Sequence, residues 1–325
     1  MKKLFFIVLC VATCLCFVGC KGSKYTYVEL LPPEWQSATA TFINMSGIVV
    51  GYGSDATDTE KGFIYSSGQY TELLPPGWGS AAAYAINDSS IVVGKGYDST
   101  NTLKGFIYNN GQYTELLPPG WNSTTAYFVS NNGAVVGWGY DSTNTDKGFI
   151  YRSGQYTELL PPGWSSAKAY GINDSGVVVG WGKDSTDTDK GFIYNNGQYT
   201  DLLPPGWSWA EANAINASDV IVGEGSDPDT DKGFIYKNGE YTELLPPRWA
   251  YAYVYAINNN EEVAGTGVND ADIEKGFVYS QGIYSELLPP KWTYADSYSI
   301  NDNGIVVGEG EDANGITKGF IATPK

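Results

Sequence analysis

Three aspartates, Asp227, Asp229 and Asp231, alternate along the segment SDPDTDKG. Alternating carboxylates are one way a loop holds Ca2+, and these are the residues of the chain best spaced for a metal. The spacing departs from the standard calcium loop, because Gly233 falls one residue late and the twelfth position is Asn238 rather than Glu. The competing reading is a solvated turn shaped by Asp and Thr side chains bonding to their own backbone. Similar acidic segments recur as DATDTE, DSTNTD and DSTDTD. Paired carboxylates also suit the acid and base of a glycosidase. Yet no single loop stands apart as the one asymmetric site that an enzyme needs, and no catalytic residue is assigned.

Other routes to chemistry are narrow. The chain has no histidine, which removes the commonest general base and metal ligand and every Ser-His or Cys-His nucleophile pair. All four cysteines, Cys10, Cys14, Cys16 and Cys20, lie within the first twenty residues. No cofactor is expected beyond the Ca2+ option. The formal charge is −17, so no basic face exists to neutralise phosphates, and nucleic acid is excluded as a partner. Aromatics are plentiful and charge is modest, which marks a folded chain.

The elements that position these residues come from a repeat. LLPP occurs seven times, from Leu30 to Leu287, each followed by one residue and a Trp, from Trp35 to Trp292. KGF also occurs seven times, beginning at Lys61, Lys104, Lys147, Lys190, Lys232, Lys275 and Lys318. The period is 43 residues with one of 42, the length of a repeat-architecture unit. One unit divides into four short pieces rich in Val, Ile, Tyr and Phe: Ala169–Asn173, Val177–Gly182, Lys190–Tyr194 and Gln198–Leu203. We call them strands a, b, c and d. Asn196-Gly197 between c and d is a hairpin signal. Nowhere does an apolar 3.6-residue period run long enough for a helix. Four short strands per unit predict an all-β, seven-bladed β-propeller with four antiparallel strands per blade. The repeats begin with a d strand, Tyr25–Leu31, and end with a c strand, Lys318–Ala322. Each lacks its neighbour, so the N-terminal strand is expected to close the last blade.

The units AYGINDSGVVVGWG…KGFIY and SYSINDNGIVVGEG…KGFIA resemble the bacterial extracellular repeats of the HAF type. The resemblance spans Tyr25 to Ala322 and departs at the naming triplet, where Lys-Gly-Phe replaces His-Ala-Phe in all seven copies. It implies an exported, propeller-like protein and supplies no catalytic residue.

Strand directions alternate in a blade, so the long b–c and d–a loops share one face and the tight a–b and c–d turns the other. Binding residues concentrate on long loops. Two positions at that face break the repeat. The residue between the glycines ending strand b reads Tyr52, Lys95, Trp138, Trp181, Glu224, Thr266, Glu309. The residue four after the conserved-in-repeat Trp reads Thr39, Ala82, Thr125, Lys168, Glu211, Tyr253, Asp296. Two positions after the same Trp, serines give way to Trp209, Tyr251 and Tyr294. These residues are expected to form a binding surface for a glycan or a protein, most of all Trp138, Trp181, Lys168, Trp209, Glu211, Glu224, Tyr251, Tyr253, Tyr294 and Glu309. The alternative is drift at exposed sites. The seven repeated Trp residues are expected to pack between blades, and the repeated Lys residues to pair with the strand-d acids.

The chain opens with Lys2 and Lys3 and an apolar run, Leu4 to Val18, too short to span a membrane, which reads as an export signal over residues 1–19. Phe-Val-Gly-Cys at its end resembles a bacterial lipobox, with Cys20 as the lipidated residue. Residues 20–24 then form a tether of roughly 15 Å, and residues 25–325 a single propeller domain. Removal of the signal takes away two lysines and no acid, so the charge falls from −17 to −19. Lys21 after the cysteine suits the outer membrane or cell surface. The expected protein is a membrane-anchored, non-enzymatic binding module. The rivals are a polysaccharide hydrolase or lyase using carboxylates, and a purely structural envelope protein.

Overall fold

The hairpin between strands c and d shows how the sequence writes this fold. Asn196 and Gly197 both take positive φ, at 48° and 87°. That is the conformation of the tight turn whose twist matches the flanking strands, and it joins Asp189–Asn195 to Gln198–Leu202. The a–b turn is set by Asn173, whose Oδ1 accepts from the Val177 N–H at 3.0 Å, with Gly176 at a φ of 89°.

The computed structural model of the chain describes residues 24–325, and these form 28 strands in seven antiparallel sheets of four. The fold is a seven-bladed β-propeller. The first blade is Thr39–Ile43, Val49–Ser54, Glu60–Ser66 and Gln69–Leu73, and blades two to six repeat that order. The seventh takes Tyr294–Ile300, Val306–Glu311 and Thr317–Pro324 from the end of the chain and Tyr25–Leu30 from its start. Tyr25 pairs with Pro324 and Leu30 with Gly319. The shared blade forms as the strand inventory predicted. The export signal and Cys20 lie outside the described residues.

Between blades, the Phe of each KGF is fully buried. The Trp leading into each blade meets that Phe edge-on, as Trp78 meets Phe106 at 6.2 Å. Trp78 also packs with Val50 and Leu73 of the preceding blade, so it seals the interface between two sheets. Its indole N–H donates to Glu115 Oε1 at 3.3 Å. Glu115 pairs with Lys104 at 2.8 Å. Lys104 pairs in turn with Asp98 at 2.8 Å, a partner not anticipated from sequence. Asp98 Oδ1 accepts from the N–H groups of Thr100 and Thr102 at 2.8 and 3.0 Å. Lys104 and these donors hold its carboxyl well below the usual carboxylate range. The acidic b–c loops are therefore built turns tied to the repeated lysines. In the sixth blade Asn269 makes the same turn without the charge, through the Ala271 and Ile273 N–H groups.

A belt of side-chain amides encircles the ring near the short turns. Asn44 donates to the Asn87 carbonyl, Asn87 to Ser130, Asn173 to Asn216, Asn216 to Asn258, Asn258 to Asn301, and Asn301 back to Asn44, at 2.9–3.2 Å. One link is missing, where Ser130 occupies the Asn position and bonds Asn132 instead.

Candidate ligand-binding site

Each strand a carries a β-bulge. In the first blade Ala40 pairs with Gly51 and Phe42 with Val50, leaving Thr41 unpaired. A bulge re-aims one side chain, and here all seven bulged residues point into the central channel: Thr41, Tyr84, Tyr127, Tyr170, Asn213, Tyr255 and Tyr298. They line a cavity of about 490 Å³, within the range of small-ligand sites. Phe42 and Phe128, edge-on at 5.4 Å, belong both to this cavity and to the smaller recess beside the amide belt. They form the floor, so the cavity occupies the half of the channel toward the long loops.

The two columns that break the repeat turn out to be partners. Within each blade they stand directly opposite each other: Thr39 and Tyr52, Ala82 and Lys95, Thr125 and Trp138, Lys168 and Trp181, Glu211 and Glu224, Tyr253 and Thr266, Asp296 and Glu309. The flanking glycines allow this approach. A Cβ on Gly180 would sit 1.9 Å from the Lys168 carbonyl oxygen, and one on Gly182 2.1 Å from that of Ser166. The columns also meet across blade interfaces. Lys168 Nζ lies 4.3 Å above the Trp138 ring of the preceding blade and 5.0 Å from Trp181. Thr266 donates to Asp296 at 2.6 Å, and Thr39 donates to Glu309. Part of the variation is therefore matched contact between neighbouring blades.

The cavity wall is polarised. On one side the rings of Tyr52, Tyr84, Tyr127 and Tyr170 form a continuous arc with centroids 6.2, 5.6 and 4.6 Å apart. Tyr127 is 38% exposed, and that exposure is to the cavity it lines. Beside the Tyr170 end of this arc stands the fifth blade, where Asn213 replaces tyrosine and Glu211 and Glu224 line the wall. Burial pushes Glu211 up to about 7, aided by Asp189 and opposed by Lys168. Burial pushes Glu224 up to about 8, with the charge of Glu211 as the next cause, although the Val254 N–H donates to its carboxyl at 3.2 Å. Burial likewise raises Tyr127 and Tyr170, and both phenols feel the charges of Glu211 and Glu224.

Of the ten residues expected at a binding surface, Trp138, Glu211 and Glu224 line the cavity. Lys168 and Trp181 do not line it, Lys168 lying over the Trp138 and Trp181 rings. Glu309 accepts from Thr39 and, at 2.8 Å, from Tyr298, both cavity residues. Tyr253 is tied to Asp231 at 2.9 Å and its ring lies 5.1 Å from that of Tyr251. Trp209, Tyr251 and Tyr294 begin their strands nearer the long loops and do not line the cavity. The cavity is lined by the channel wall and not by the long loops. The aspartates considered for Ca2+ have other partners: Asp227 accepts from the Asp229 and Thr230 N–H groups and pairs with Lys232, and Asp231 accepts from Tyr253. Among the described residues no three acids gather as a metal site. The bulge column escaped the sequence reading. Its signal was a strand position reading Thr, Tyr, Tyr, Tyr, Asn, Tyr, Tyr between small or apolar neighbours.

No family model matches the chain, and no curated protein matches it. Among solved structures it is similar to an acylaminoacyl peptidase of Pyrococcus horikoshii, at 12% identity and a TM-score of 0.61, covering 90% of this chain and 53% of that one. It is also similar to a puromycin-hydrolyzing peptidase of Mycobacterium tuberculosis, at 14% identity and a TM-score of 0.59, covering 89% and 52%. The chain spans about half the length of these peptidases. At such identity the likeness is one of fold.

Proposed function

We propose that the chain is an exported binding module, anchored in the cell envelope through lipid on Cys20, that takes a glycan end into its central cavity from the long-loop side. The observation that carries this reading is convergence. Positions at which seven otherwise uniform blades differ line one cavity, Tyr52, Lys95, Trp138, Glu211 and Glu224 among them, with an aromatic arc running up to two carboxyl groups. Tyrosine and tryptophan faces stack against sugar rings, and carboxyls accept from hydroxyls. The anchor suits this orientation. Tyr25 pairs with Pro324 at the short-turn side of the seventh blade, so a lipid four residues before Lys24 would hold that side to the membrane and leave the cavity facing away. The extracellular character implied by the HAF-type resemblance agrees with this placement.

The test is a glycan array and an envelope pull-down with the wild type, Tyr127→Ala and Trp138→Ala. Loss of captured material in both variants supports the cavity. Full retention in both overturns it. Capture of protein with no glycan would reassign the ligand class.

One observation favours a second reading. Glu211 and Glu224 are paired carboxyls with raised affinity for a proton, which suits acid and base roles in polysaccharide cleavage. Turnover of a polysaccharide, abolished by Glu211→Gln or Glu224→Gln alone, would establish it.

A further inference from the structure

The cavity wall already shows how it treats an ammonium group. Lys168 Nζ is seated over the Trp138 face at 4.3 Å, with Trp181 at 5.0 Å and Asp146 at 3.8 Å. Lys95 Nζ lies 5.3 Å above Tyr84 and close enough to Glu60 to oppose the burial-driven rise of that carboxyl. Both lysines thus have an aromatic face and an acid of their own. The fifth-blade acids have no cation at ion-pair distance, Lys168 acting on Glu211 only from further away. Glu211 forms no ion pair or side-chain hydrogen bond with another described residue, and Glu224 accepts from the Val254 N–H and from Asn213 but has no cation. Tyr170 on the neighbouring fourth blade and Tyr127 on the third line the same cavity, their rings 4.6 Å apart, and both phenols feel the charges of these two acids.

Two adjacent buried carboxyls without a cation are costly unless protonated or paired. Aromatic faces attract cations through their quadrupole, and more strongly when water is excluded. An ammonium between the arc and the acids would satisfy both sides at once, repeating the Lys168 arrangement with a group from outside. A neutral sugar would use the rings but leave the acid pair uncompensated.

Resting on the cavity reading above, we propose that the ligand carries an organic ammonium group, seated between the Tyr127 and Tyr170 rings and the Glu211–Glu224 carboxyl pair. The chemistry is shared by amino sugars and polyamines.

Calorimetric titration of the full chain with glucosamine, N-acetylglucosamine, spermidine and tetramethylammonium tests it. The amine-bearing probes should bind at least tenfold more tightly than N-acetylglucosamine, which has the same ring without the charge. Preference for glucosamine marks an amino sugar, and preference for spermidine a polyamine. Amine binding should release protons, read as a dependence of the heat on buffer ionisation enthalpy, because a cation displaces the proton held by the pair. For tetramethylammonium, which keeps its charge at every pH, binding should strengthen as pH rises from 6 to 9. Asp189, Asp231 and Lys168 also face these carboxyls, and Asp189→Asn should alter the midpoint without abolishing the effect. The double variant Glu211→Gln/Glu224→Gln, which keeps shape and neutral hydrogen bonding, should lose tenfold or more. Equal affinity for N-acetylglucosamine and glucosamine, an unaffected double variant, or no binding by any amine probe at millimolar concentration overturns the proposal. Neutral-sugar binding lost in Tyr127→Ala would overturn the ammonium and keep the cavity. Amine binding retained in both Tyr127→Ala and Trp138→Ala would overturn the cavity itself.

Discussion

Glu211 and Glu224 stand directly opposite each other on the first two strands of the fifth blade, and neither forms an ion pair with a described residue. In the other six blades the same two positions hold no pair of acids except Asp296 and Glu309. There Thr266 and Thr39, from the blades on either side, donate to the carboxyls. The fifth blade has no such hydroxyl at Glu211.

This pairing fixes the pH dependence of stability. Burial raises both glutamates above their unfolded value of 4.5, to about 7 and about 8. The folded chain therefore binds these protons more tightly than the unfolded chain. The contribution is full below about pH 4.5 and is lost as pH rises through 7 and 8. The melting temperature should fall by a few degrees between about pH 5 and 9 on this account. Glu224→Gln, already neutral, should flatten that fall. Parallel melting curves for variant and wild type would refute it. At the acid end the sign reverses. Asp312 and Asp227, held down at about 2 mainly by Lys318 and Lys232, contribute stability above the unfolded value that is lost as pH falls through 2.

The contact of Lys168 with Trp138 should be worth about 0.5–2 kcal/mol, the range for a cation over an indole face. Lys168→Met keeps the stem and removes the charge, and it also strips Asp146 of the cation that opposes its burial-driven rise. A double-mutant cycle with Trp138→Leu, read by urea unfolding, isolates the pair. A coupling near zero would mean that the two are neighbours without mutual stabilisation.

Ser130 interrupts the amide belt at the third blade. Ser130→Asn should restore a donor to the Asn173 carbonyl, as its six counterparts have, and should stabilise by about 0.5–1.5 kcal/mol, the net worth of one hydrogen bond. The reverse change, Asn301→Ala, takes one of two donors from the Asn44 carbonyl, which keeps the Gly47 N–H, leaves the Asn303 and Ile305 N–H groups without their acceptor, and should cost about 1–3 kcal/mol. If Ser130→Asn destabilises, the existing bond from Ser130 to Asn132 is the better solution.

Most of the architecture was legible in the sequence because every blade solves the same packing problem with the same residues. The KGF lysine needs an acid and the buried Phe needs an edge-on Trp, so the triplet, the strand-d acid and the LLPPxW segment recur at one period. The end strands announce ring closure because each lacks the partner that every interior copy has. The divergent columns at Lys168/Trp181 and Glu211/Glu224 were visible as breaks in that uniformity. The channel tyrosines were not, since simple alternation puts Tyr84 or Tyr127 on a fixed sheet face, and only the bulge turns it into the channel. The inter-blade contacts, such as Lys168 over Trp138, were hidden for another reason. They join positions 30 residues apart that only blade stacking brings together. The acidic loops stayed ambiguous in the sequence, because an Asp that caps its own turn and pairs with a lysine has the same spelling as a calcium ligand.

Closure of the ring is the strongest prediction. Tyr25–Leu30 is an outermost strand held by pairing along Thr317–Pro324, by the fully buried Leu30, and by Glu29, which meets Lys318 at 2.9 Å and the Trp292 N–H at 3.2 Å. The half-exposed Glu29–Lys318 pair itself contributes only about 0.2–1 kcal/mol. Leu30→Ala should cost about 2–5 kcal/mol. Removing residues 24–30 altogether exposes Thr317–Pro324 as an open edge, so the shortened chain should self-associate in size-exclusion chromatography. A synthetic peptide of residues 24–31 added in trans should restore the monomeric species and raise the melting temperature with the logarithm of its concentration above Kd. A shortened chain that stays monomeric and melts with the intact one would show that the last blade is stable with three strands.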